Sequence, residues 1–268
     1  MQDRRIIHSI WLTLLALFLG QAALAALAFH LYAIPVAEAT WYLVVLPVMH
    51  GAIGVVLTAL RDLFTNTDTG QRLTRVNFAN KLSLVRLSSA PTVLWLVLLA
   101  RDYAVGPIVV PLTAAVFLTD LLDGQISRRT HQTTQIGQRL DSSSDYTVLV
   151  VVSIALIGYD LISGWFFAIV IIRLGFPLVG QSVLLVIRRW KVPFRTSFLG
   201  KASVFAIMTA YAISLVSLID GIPDWSRVVQ TVAEYAAGAL AVVSLAEKVY
   251  QYPGEIAHAR RTRNEISD

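Results

Sequence analysis

Cysteine is absent from the 268 residues, so neither a disulfide framework nor a thiolate metal site exists. Charge is scarce: 15% of the residues are Asp, Glu, Lys or Arg, against about 25% in a soluble globular domain. No repeat of solenoid period and no low-complexity tract occurs, which excludes stacked-repeat and linker architectures. Apolar residues are abundant instead, at 56%. That balance is the composition of a polytopic membrane protein.

Eight apolar runs follow one another, at residues 7–30, 41–60, 84–100, 108–122, 146–157, 165–187, 198–218 and 228–249. Most approach the ~20 residues that cross about 30 Å of hydrocarbon as a helix. The first follows Arg4 and Arg5 and has a leader-like appearance, but its length predicts a retained transmembrane helix. The fourth and fifth runs fall short. Extending the fourth to Arg128 and starting the fifth at Gly137 makes each long enough to span.

The net charge of +5 is not spread as a nucleic-acid binder would spread it. Basic residues gather before the first run, between runs two and three (Arg61, Arg72, Arg75, Lys81), four and five (Arg128, Arg129, Arg139), six and seven (Arg188, Arg189, Lys191, Arg195, Lys201), and in the tail. The alternate loops hold Asp102, Asp160, Asp220 and Asp224, with Arg101 and Arg227 as their bases. This asymmetry predicts eight spans with both termini on the cytoplasmic side, and anionic lipid rather than nucleic acid as the partner of the bases. The organisation expected is a two-helix transmembrane extension over residues 1–68, an interfacial helix and six-helix core over 69–250, and a basic cytoplasmic tail over 251–268. The interfacial helix is placed at residues 69–83, polar and partly amphipathic through Leu73, Val76, Phe78 and Leu82.

Between the fourth and fifth runs lie Asp120, Asp123, Asp141 and Asp145. The first two are spaced i, i+3 and the second two i, i+4, so on helices each pair shares one face. Close carboxylates in a poorly solvated site repel one another unless a cation binds among them. Mg²⁺ or Mn²⁺ suits an all-oxygen cage, and two such ions can clamp a diphosphate during phosphoryl transfer. Gly124 and Gly137 omit side chains where a nucleotide would approach backbone, and Arg128 can pair with a phosphate. A helix glycine can equally be a packing contact, and a lone arginine a topology signal.

The stretch 120–145 resembles the signature of the CDP-alcohol phosphotransferase family, D-x2-D-G-x2-A-R-x8-G-x3-D-x3-D, with Ser127 in place of Ala. Upstream, Asn80-Lys-Leu-Ser83-Leu-Val-Arg86 followed by Pro91 looks like the family's N-x-L-T-x2-R…P stretch. The resemblance covers about residues 77–249 and implies a six-helix core, leaving the first two runs outside it. It implies a metal-dependent phosphatidyltransferase of phospholipid synthesis that displaces CMP from CDP-diacylglycerol with the hydroxyl of a polar acceptor, and a homodimer. Asp120, Asp123, Asp141 and Asp145 match the family's metal ligands, with Asp145 as general base. Asp120, Gly124, Arg128 and Gly137 match positions near the CDP moiety.

Arg173, in the sixth run, and Leu199-Gly200-Lys201 look like the Arg and L-G-K of phosphatidylglycerophosphate synthases. With Arg86 they are the candidates for acceptor binding, which favours glycerol 3-phosphate. Ser142-Ser-Ser144 and Tyr146 stand where those synthases have Pro and Lys, and Leu174 where they have Glu, so an inositol phosphate or another alcohol stays open. Two further readings compete. Carboxylates in membrane helices also line ion paths, as in a divalent-cation transporter, although no acidic relay continues through the other runs. A non-catalytic relative would bind CDP-lipid without turnover.

Overall fold

The computed structural model describes residues 2–129, 133–188, 197–219 and 225–267; the side chains of 120–129, 142, 177–188, 225 and 251–267 are outside that description. Among the described residues eight α-helices follow in order: α1 (Gln2–Tyr32), α2 (Thr40–Ala59), α3 (Phe78–Leu99), α4 (Gly106–Arg129), α5 (Gln135–Gly158), α6 (Gly164–Arg188), α7 (Phe198–Val216) and α8 (Trp225–Ser267). No strand forms among the described residues. Each of the eight apolar runs lies on one of these helices but for a residue or two at three of their ends, as expected of segments that must satisfy their own backbone hydrogen bonds in lipid.

Among the described residues six stretches are long and apolar enough to cross a membrane: α1, Val36–Ala59, α3, α5, α7 and Ser226–Tyr250 of α8. The described parts of α4 and α6 add shorter apolar stretches, Gly106–Thr119 and Gly164–Phe176. Local chemistry sets the helix ends. Past α1, Ala33 turns to φ 50° and Pro35 follows, which has no N–H to continue a helix. Asn77 caps α3 by accepting from Asn80 N at 2.9 Å, and Ser197 caps α7 by accepting from Gly200 N at 3.0 Å.

The separate interfacial helix expected at residues 69–83 does not form. Residues 69–77 are non-helical, and 78–83 are the first turns of α3 itself. Asn66 decides this: its side-chain oxygen accepts from Asp68 N at 2.8 Å and Thr69 N at 3.0 Å, and its carbonyl accepts from Gly70 N at 3.0 Å. The turn needs Gly70 at φ +67°, a left-handed conformation that glycine adopts without penalty. Local side-chain bonds to the backbone thereby outcompete a weak amphipathic pattern.

The chain forms two compact units, Met1–Ala155 with Leu218–Gly221, and Leu156–Ser217 with Ile222–Asp268. In the first, α3 packs along α4, and α1 and α2 pack on each other and on α3. Trp11 of α1 lies so close to α2 that a Cβ at Gly54 would come within 2.6 Å of its ring. Buried polar groups join the three helices. Gln21 donates to Ser88 Oγ at 3.0 Å and accepts from Thr92 at 2.6 Å, and the Tyr42 hydroxyl lies 3.2 Å from Thr92 Oγ1. Tyr42 also stacks on Trp95, with ring centroids 4.5 Å apart. In the second unit, α8 lies along α7 and against α6. Its Glu234 accepts from Ser163 N at 3.1 Å and Ser163 Oγ at 2.5 Å, placing a carboxylate at the positive end of α6.

Candidate active site

The first unit gathers one arginine and two aspartates. Arg86 stands in the first half of α3, and its side chain is fully buried. An arginine inside an apolar helix costs about 2.5–3.5 kcal/mol on insertion scales unless something offsets it. Here α5 supplies the offset. Arg86 Nη2 donates to Asp141 Oδ1 at 2.9 Å, and Nε lies 3.1 Å from Asp145 Oδ1 and 3.0 Å from Ser144 Oγ. Ser144 donates in turn to the Asp141 carbonyl at 2.9 Å, so its lone pairs face the guanidinium. Asp141 and Asp145 sit one turn apart on one face of α5, as their spacing requires. They remain reachable, with side chains 48% and 23% exposed. The arrangement is a fixed buried cation with two carboxylates converging on it from the open side.

A polar layer supports the start of α5. Thr134 accepts from Gly137 N at 3.0 Å, as an N-cap does, and its hydroxyl pairs with the Asn80 amide at 3.1 Å. A Cβ at Gly137 would come within 2.5 Å of Asn80 Oδ1 and 2.8 Å of Thr134 Oγ1. The need for glycine here is therefore already met by the packing of α3 on α5, whatever ligand approaches.

Of the residues singled out in the sequence, Arg86, Gly137, Asp141 and Asp145 come together. Arg86, expected among acceptor ligands, faces the aspartates. Asp120, Asp123, Gly124 and Arg128 fall on the last turns of α4, outside the described side chains. Among the described residues no group of three acidic or histidine side chains could hold a metal, and the α4 half of the expected cage is not among them.

The second unit holds the other two candidates. Arg173 of α6 is buried; its Nε donates to Ser244 Oγ at 3.1 Å and its Nη2 to Gly200 O at 3.3 Å. The Arg and L-G-K elements are thus neighbours, joined through the glycine, while the Lys201 side chain is exposed. Ser197 donates to Glu247 at 2.6 Å, and Lys248 is buried on α8.

Thr134, Ser244 and Lys248 were not singled out from sequence, and Ser144 was noted only as a departure from the synthase pattern. Thr134, three residues before Gly137, carried the signal of a helix start. Ser144 lies i+3 from Asp141 and could have been read on its face. Ser244 and Lys248 are a polar i, i+4 pair at the end of the apolar run of α8, a signal too short to stand out.

Residues 76–243 match the CDP-alcohol phosphatidyltransferase family. A Streptomyces coelicolor protein named cardiolipin synthase (CMP-forming) is 32% identical over 149 residues, covering 53% of this chain and 65% of that relative. Proteins of Mycobacterium bovis and Mycobacterium tuberculosis, provisionally named cardiolipin synthases, are 29% identical over 149 residues, covering 56% of this chain and 68% of each relative. The matched segment thus spans just under two thirds of the Streptomyces protein's length.

Proposed function

The chain belongs to the CDP-alcohol phosphatidyltransferase family, and from that premise we propose that it transfers a phosphatidyl group from CDP-diacylglycerol to an alcohol, releasing CMP. One observation carries the reading: within the family segment, a buried Arg86 holds Asp141 and Asp145 on a common, accessible face. In the transfer, the acceptor oxygen bonds the β-phosphorus while the bond from that phosphorus to the oxygen bridging to CMP breaks. The hydroxyl proton passes to a carboxylate, for which we assign Asp145. A positioned base of this kind contributes about 10²–10⁴-fold.

The donor set fits a hard divalent cation. All donors are carboxylate oxygens, and those of α5 already converge on a positive group. Asp141 and Asp145, with Asp120 and Asp123 of α4, would hold Mg²⁺ or Mn²⁺, two ions by the family resemblance. When bound, the metal supplies charge neutralisation at the diphosphate. The chain's own residues do the rest. Arg86 keeps the α5 carboxylates from repelling one another and aims them. Gly124 and Arg128, with Asp120 and Gly137, border the cytidine diphosphate. The distribution of bases supports a multi-pass protein with this site on the cytoplasmic side, and a homodimer belongs to the same reading.

For the acceptor we favour phosphatidylglycerol. Forming cardiolipin with release of CMP, the reaction in the Streptomyces relative's name, requires the attacking hydroxyl to sit on that lipid. Glycerol 3-phosphate is the second reading, favoured by the Arg173 and Gly200-Lys201 pairing. Either acceptor carries a phosphate that a buried guanidinium can bind. Purified protein with CDP-diacylglycerol and Mn²⁺ is expected to release CMP fastest with phosphatidylglycerol and not at all with EDTA. Equal release by wild type and Asp145→Asn would falsify the assigned base. Mg²⁺ or Mn²⁺ flux into liposomes without CDP-lipid would favour transport instead.

A further inference from the structure

We propose that the α1–α2 hairpin, which precedes the family segment, positions the acidic face of α5, with Ile10 as its central positioning residue. The activity arm of this inference rests on the proposed function; its other arms do not.

Two stripes run side by side along the start of α5. Ile136, Leu140 and Ser144 are spaced four apart and buried; Gly137, Asp141 and Asp145 follow each by one residue. On a helix the second stripe lies about 100° around from the first. Whatever grips the apolar stripe therefore sets the direction in which the carboxylates point. Ile136 and Leu140 belong to one continuous apolar cluster with Ile6, Ile10 and Leu14 of α1 and Ile53 and Leu57 of α2. Leu84 of α3, two residues before Arg86, is in the same cluster. The hairpin thus shares a core with both helices whose side chains meet at the site.

A second, independent tie fixes the height of α5. Thr67 N donates to Thr133 O at 2.9 Å and Gln135 N to Thr65 O at 3.1 Å, clamping the chain just before the helix. The same loop is fastened to α1, where Val76 N donates to Ser9 Oγ at 3.1 Å. Rotation is set by the apolar cluster and translation by the loop, and α1 contributes to both. Interiors packed at crystal density transmit such a loss instead of absorbing it, and a misplacement near 1 Å can cost about 10²-fold in rate.

The test uses the full chain in nanodiscs, with Ile10→Ala, Ile10→Val, Ile10→Leu and, as control, outward-facing Leu15→Ala. Amide exchange over residues 135–141, Mn²⁺ affinity, and kcat and KM for CMP release are measured. Ile10→Ala is expected to raise exchange in that segment, with α6–α8 unchanged, weaken Mn²⁺ binding, and lower kcat with little change in KM. Ile10→Val should move the same way by less, Ile10→Leu should recover most of the loss, and Leu15→Ala should match wild type. Unchanged exchange at 135–141 would overturn the proposal. So would raised exchange with Mn²⁺ affinity and kcat unaltered. If Ile10→Ala does not fold, Ile10→Val decides on the same readouts. A wild type that releases no CMP removes the proposed function, and exchange with Mn²⁺ affinity then decides the hairpin's role.

Discussion

Helices α1 and α3 are both apolar enough to span a membrane, yet 17% of the apolar window of α1 is buried against 72% in α3. Their residues are arranged inside out relative to each other. On α1, Leu12, Leu15, Leu19, Leu27 and Leu31 are exposed, as lipid-facing side chains are. On α3, Asn80, Ser83, Arg86, Ser88, Ser89 and Thr92 are buried, and each has a hydrogen-bond partner. Where the solvent is hydrocarbon, apolarity no longer decides what goes inside, and polar groups mark the interior because that is where partners exist.

The contrast can be broken at graded positions. The largest effect belongs to the carboxylate that Arg86 holds. Asp145→Asn is expected to slow CMP release by about 10²–10⁴-fold, measured at saturating acceptor. Arg86→Gln comes next. Removing one partner of a buried ion pair costs about 3–5 kcal/mol, and the exposure of Asp141 and Asp145 puts this case at the lower end; denaturant titration in mixed micelles reads it. Mn²⁺ should partly restore the stability of that variant by taking over the positive charge between the two aspartates. Gln21→Leu removes the bonds from α1 to Ser88 and Thr92 of α3. Interhelical bonds in membranes average ~0.6 kcal/mol and reach ~1.7, so a loss of about 1 kcal/mol is expected in the same titration. Leu19→Ala, on the outward face of α1, should stay within ~0.5 kcal/mol. A larger cost there than at Gln21 would reverse the comparison and place the exposed face of α1 in an interface.

Helix content was legible because length and hydropathy respond to bilayer thickness, and every apolar run became part of a helix. The acidic pair of α5 was legible because an i, i+4 spacing determines a shared face before any packing is known. Residues 69–77 were misread for a local reason: a partial amphipathic pattern was weighed above the Asn66 side chain and Gly70, which close a turn instead. Arg86 was recognised as a motif residue but assigned to the acceptor. The structure places its side chain against residues more than fifty positions away on α5, and no periodicity reports a contact of that range. Gly137 was read as room for a ligand; the structure adds a packing reason for the glycine, since Asn80 and Thr134 lie where a Cβ would stand.

Composition, run length and spacing alone determined a helical membrane chain and the face on which Asp141 and Asp145 stand, since each follows from one helix in one solvent. Only the tertiary structure decided that α1 shares its core with α5, that Arg86 answers both aspartates, and that Arg173 reaches Gly200. Those depend on which helices become neighbours, and in hydrocarbon that choice rests on shape and on a few buried polar contacts far apart in the chain.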